Sequence, residues 1–66
     1  MYTLSIQDPY TVGEIYYEGR EVGTIGFDFY TEDENEWVEQ ADETLYRLGW
    51  VRTSVWFQGQ ATLERI

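Results

Sequence analysis

From Glu32 to Leu48 the chain runs without glycine or proline, and Gly49 follows at once. Such a stretch, closed by a residue suited to C′, predicts a single helix. "TEDE" has the S/T-x-x-E form of a capping box, with Thr31 at the N-cap and Glu34 at N3; Asp33 is the alternative cap for a slightly later start. Elsewhere glycine and proline cut the chain into strand-length pieces. "YTLSI" alternates, with Tyr2, Leu4 and Ile6 on one face, and "QDPY" breaks it. "VGEIYYE" and "EVGTIGFDFY" read as strands joined by a turn around Gly19, the latter with Ile25, Phe27 and Phe29 on one side. "WVRTSVWF" and "ATLERI" read as a second hairpin around "QGQ". The order is β-β-β-α-β-β. It predicts an α+β fold in which an antiparallel β-sheet of four to five strands carries one helix packed on one face, as a single domain over residues 1–66.

At 66 residues the chain lies near the lower limit for folding without covalent or metal support. It has neither cysteine nor histidine, so its stability must come from packing. Twelve aromatic residues supply the bulk, and their abundance argues against disorder. Trp37 and Trp50 are expected in the core.

Seven carboxylates fall between Glu32 and Glu43, within a chain of net charge −9 whose four basic residues are all arginine. On a helical wheel of about 100° per residue, Trp37, Ala41, Leu45 and Leu48, with Val38 beside them, form an apolar stripe. Glu32, Glu36, Glu39 and Glu43 fall in one row on the opposite side, flanked by Asp33, Asp42 and Tyr46. The row would extend about 16 Å along the axis, a length comparable to a short run of backbone phosphates. An ordinary solvated helix face accounts for Glu32, Asp33 and Glu34, since acids in a first turn suit the helix dipole. It does not account for Glu39, Asp42 and Glu43, because like charges three or four residues apart cost roughly 0.2–0.5 kcal/mol per pair. Adaptation to high salt is a further explanation for acids without lysine. Of the remaining acids, Asp8, Glu14, Glu18, Glu21 and Asp28, most read as ordinary surface charges. Arg20 is expected to offset Glu18 and Glu21, and Asp28 to project from the sheet face opposite Phe27 and Phe29.

This composition excludes several functions. Without His, Cys or Lys, the usual nucleophiles and general bases are few, and no enzyme is expected. Asp33 and Asn35 begin something like a calcium loop, but no glycine stands at the sixth position, so no metal or other cofactor is expected. Direct nucleic-acid binding and anionic membranes require a basic footprint that is missing here. No apolar run approaches the roughly 18 residues of a membrane span, and "MYTLSIQDPY" lacks the pattern of a secretory signal. A cytoplasmic location is expected.

In size, charge and the segment "TEDENEWVEQADE", the chain resembles the small, acidic, cysteine-free proteins that bacteriophages encode against host defences, DNA-mimicking anti-CRISPR proteins among them. The resemblance is one of physical type. It implies occupation of the positively charged DNA-binding channel of a CRISPR effector complex. Glu32, Glu36, Glu39 and Glu43 would then meet basic residues of that partner, with Asp33, Asp42 and Tyr46 alongside. The alternative is a non-enzymatic interaction module, such as an antitoxin, adaptor or dimeric scaffold. It would bind through an exposed aromatic sheet face, to which one of Tyr16 and Tyr17, and one of Trp56 and Phe57, would contribute; a homodimer stays open.

Overall fold

The computed structural model describes residues 1–7 and 11–66. Asp8, one of the acids noted above, and most of the "QDPY" break lie outside the described residues. The elements are β1 (Tyr2–Ile6), β2 (Val12–Tyr17), β3 (Arg20–Gly26), α1 (Glu34–Arg47), β4 (Trp50–Arg52) and β5 (Gln60–Arg65). They form the expected α+β fold, a five-stranded antiparallel sheet in the order β3-β2-β1-β5-β4 with one helix. β1 lies at the centre, with Leu4 opposite Ile15 on one side and Ala61 on the other. The chain leaves the β3 edge, passes through α1 and re-enters at the opposite edge as β4.

The alternation of the strands puts Leu4, Ile6, Ile15, Ile25 and Leu63 on one face, and all are buried there. Ala41 and Leu45 of α1, together with Phe27 and Trp50, close the core over them. Trp37 is half-buried against this cluster. Leu48, expected in the apolar stripe, is instead the C-cap and is 53% exposed. The helix ends a residue earlier, and Gly49 follows it with φ of +92°, as expected at C′.

Three further boundaries differ from the sequence expectation. The helix starts at Glu34 and is capped by Asp33 rather than Thr31. Asp33 Oδ1 accepts the N–H groups of Asn35 (2.9 Å) and Glu36 (3.1 Å), while Thr31 Oγ1 accepts the Asp33 N–H (3.2 Å). The threonine therefore serves the turn before the helix, and the carboxylate serves the helix itself. Asp33→Ala is expected to cost about 1 kcal/mol. In a domain of this size that lowers Tm by roughly 4–8 °C, which a circular-dichroism melt would register.

β3 stops at Gly26 instead of continuing to Tyr30. Phe27 and Phe29 still point inward, but their rings lie 5.8 and 5.9 Å from Trp37, which draws this segment off the sheet toward the helix. Asp28 is exposed on this departing segment and does not sit on a sheet face.

β4 ends at Arg52. Beyond it the chain swings out and is pinned by side chains. Ser54 Oγ accepts the Thr62 N–H (2.9 Å), a position a ladder carbonyl would otherwise fill. The chain rejoins β5 through the Phe57–Gln60 bridge.

Candidate functional site

On α1 the exposed row consists of Glu36, Glu39, Glu43 and Tyr46, spaced three, four and three residues apart. Its three carboxylates span about 10 Å at 1.5 Å per residue. Among the described residues, no arginine reaches ion-pair distance of them. Within the same residues, Glu36 has only a long contact from Gln40 Nε2 (3.4 Å). Arg47, one helical turn beyond Glu43, is exposed at the end of the row and makes no ion pair within the described residues. Tyr46 is 66% exposed.

The other predicted members are not in this row. Glu32 precedes the N-cap, so the wheel that aligned it with Glu36 does not apply. Its Oε1 accepts the Tyr30 hydroxyl at 3.1 Å. Asp33 is engaged as the cap. Asp42 is half-buried and held in a two-pronged pair with Arg52, Nε to Oδ1 at 2.8 Å and Nη2 to Oδ2 at 2.9 Å. Arg52 Nη1 also donates to the Ser54 carbonyl, so this arginine ties the helix to the loop after β4. Hydrogen bonding to Asp42 raises the Arg52 pKa further above its ordinary value. Asp42 is thus a structural residue. No local pattern signals this, because its partner comes from a strand ten positions away.

Glu18 pairs with the Met1 amino group (3.0 Å), not with Arg20 as expected. Glu14 accepts the Tyr16 hydroxyl at 2.7 Å, and this hydrogen bond raises the Tyr16 phenol above its ordinary pKa. Tyr16 lies on the uncovered face of the sheet. Strand alternation makes that face mostly polar, with Thr3, Ser5, Thr24, Gln60 and Thr62. Of the rings expected there, Tyr16 is present but half-buried, and the others lie elsewhere. Tyr17 packs tilted against Tyr2 (4.7 Å), Phe57 is at the tip of the β4–β5 connection, and Trp56 packs edge-on against Trp37 at 5.5 Å.

A cleft of about 440 Å³ lies between the start of α1 and the β4–β5 turn. Trp37, Val38, Trp56 and Ile6 line it, together with the consecutive acids Glu32, Asp33 and Glu34. The Trp56 indole N–H is buried and has no hydrogen-bond acceptor among the described residues. Sequence reasoning assigned Trp37 to the core and did not find the cleft, which draws on four separate parts of the chain.

Among the described residues, no group of three or more carboxylates is disposed to hold a metal ion, and no helix is long and apolar enough to cross a membrane. No family model, no characterised protein and no solved structure matches the chain.

Proposed function

We propose that the protein is an acidic inhibitor that occupies the basic nucleic-acid-binding groove of another protein, acting as an anti-CRISPR decoy for target DNA. One observation carries the reading. Glu36, Glu39 and Glu43 stand exposed in file on α1, without an arginine partner among the described residues, in a chain of net charge −9. Their mutual repulsion, roughly 0.2–0.5 kcal/mol per neighbouring pair, opposes the free helix. It turns into attraction when lysines and arginines of a groove face the row. Three carboxylates over about 10 Å are sparser than the phosphates of one strand, which advance about 3.4 Å per charge. The row therefore presents about two carboxylates for every three phosphates.

The alternative, contact through an aromatic sheet face, has less to work with. The uncovered face offers hydroxyls, amides and the separate valines Val12 and Val51, and among the described residues its ring, Tyr16, is half-buried with its hydroxyl bonded.

The test is capture from a bacterial lysate on immobilised protein, followed by elution with short duplex DNA. The expected result is a retained nucleic-acid-binding protein that DNA displaces, with retention falling steeply as salt rises. Retention that neither duplex DNA nor salt disturbs would overturn the reading.

A further inference from the structure

We infer that Val55 and Trp56 form a flap that opens by itself, while the sheet stays folded, and turns the Trp56 ring out of the cleft. The chain on either side of the pair is fixed. Before it, Ser54 Oγ accepts the Thr62 N–H (2.9 Å) and the Ser54 carbonyl accepts from Arg52 Nη1. After it, Phe57 and Gln60 exchange two backbone hydrogen bonds, at 2.9 and 3.0 Å. Between these points, neither Val55 nor Trp56 makes a backbone–backbone hydrogen bond among the described residues. The Val55 carbonyl accepts only from the adjacent Ser54 hydroxyl (3.1 Å) within the same residues. Opening the arch therefore breaks no rung of the sheet ladder, the condition for a local opening well below global unfolding.

Two effects oppose each other at Trp56. In the closed arch its ring packs edge-on against Trp37 (5.5 Å), lies 5.7 Å from Arg52 Cζ and adjoins the core. The same position buries its indole N–H without an acceptor among the described residues. A buried donor left unpaired loses its hydration with nothing in return. In the open arch water satisfies the N–H and the ring contacts are lost. Gain and loss are of the same order, so the folded protein populates both states. Opening removes one wall of the cleft, and it bares Trp56 between Val55 and Phe57, already 79% and 70% exposed. None of this depends on the decoy reading.

Hydrogen exchange at the Trp56 indole N–H, followed by NMR on the intact protein, reads the opening. The closed ring keeps solvent from this proton and no hydrogen bond holds it, so it exchanges when the ring turns out. Exchange is expected to be about 10- to 100-fold slower than in a solvated indole, and the Leu4 amide of central strand β1 should be protected at least about tenfold more. Low urea should reduce the protection of Leu4 and leave that of Trp56 in place, because the flap exposes little surface. A second measurement addresses the unpaired donor. Trp56→benzothienylalanine, within reach of chemical synthesis for a chain of 66 residues, keeps the ring shape and replaces the N–H with sulfur. Removing the donor should raise the folded-to-unfolded ratio about fivefold or more.

Equal protection of Trp56 and Leu4, with the same urea dependence, would show that only global unfolding releases the ring, and would overturn the inference. Exchange of Trp56 at the rate of a solvated indole would overturn it too, since the ring would then not be held closed. An unchanged or lowered ratio in the benzothienylalanine variant would mean that the N–H already has an acceptor, a water or the Trp37 ring face, and would remove the force that opens the flap.

Discussion

Reversing Glu36, Glu39 and Glu43 to lysine together is expected to abolish capture of the DNA-displaced partner while leaving the protein folded. Three reversals, each worth two charges, take the net charge from −9 to −3. Local repulsion then faces the basic groove, and the loss of electrostatic steering alone lowers association by about 10- to 1000-fold. The fold should tolerate the change because all three side chains are exposed and, among the described residues, hold no structural partner beyond the long Gln40 contact of Glu36. The circular-dichroism spectrum should be retained and Tm should stay within a few degrees. The triple glutamine variant removes charge without reversing it and should fall between wild type and the lysine variant. Binding of the lysine variant at wild-type strength, with the fold intact, would remove the row from the interface.

Gly59→Ala is expected to have the largest effect on stability. Gly59 has φ of +75°, where an L side chain costs about 1–2 kcal/mol. Its carbonyl accepts the Ile6 N–H at 2.7 Å, and a Cβ there would land on the Ile6 carbonyl oxygen. Backbone cannot yield as a flexible side chain would. Strain and overlap together are expected to cost about 3 kcal/mol or more, at the upper end for a single substitution. A domain of this size holds only about 3–10 kcal/mol in total, at 0.05–0.15 kcal/mol per residue. The variant should be largely unfolded at 37 °C by circular dichroism. Gly23→Ala is the control. Gly23 is on edge strand β3 with open space where a Cβ would go, and the change should fall within about 0.5 kcal/mol. Similar denaturant midpoints for the two variants would show that the Gly59 approach is not tight.

Most of the architecture was legible because it depends on local signals. β1 follows from the alternation of Tyr2, Leu4 and Ile6, the end of α1 from Gly49, and the hairpins from their turn glycines. Where two local signals compete, the sequence does not choose between them. Thr31 and Asp33 both carry cap chemistry, and the decision lies in which oxygen reaches the N–H groups of Asn35 and Glu36. The candidate site was legible only where it follows helical periodicity. Glu36, Glu39 and Glu43 share a face because of their spacing. Asp42 was misjudged because Arg52 meets it through tertiary packing, and the cleft was missed because its two tryptophans come from α1 and from the loop after β4. No period in the sequence encodes such meetings.

The position of β5 bears on how the protein comes into being. It pairs with β1 on one side and β4 on the other, although β1 is made first and β5 last among the described elements. A growing chain emerging from the ribosome cannot complete the sheet until Gln60–Arg65 is out. Until then Phe27, Trp37 and Leu45 lack the Leu63 surface that helps enclose them. At roughly 5–20 residues per second this interval lasts only seconds, but neighbouring nascent chains on one message are crowded. The acidic run precedes that last strand in the chain, and its charge opposes association between copies in which β5 is not yet paired.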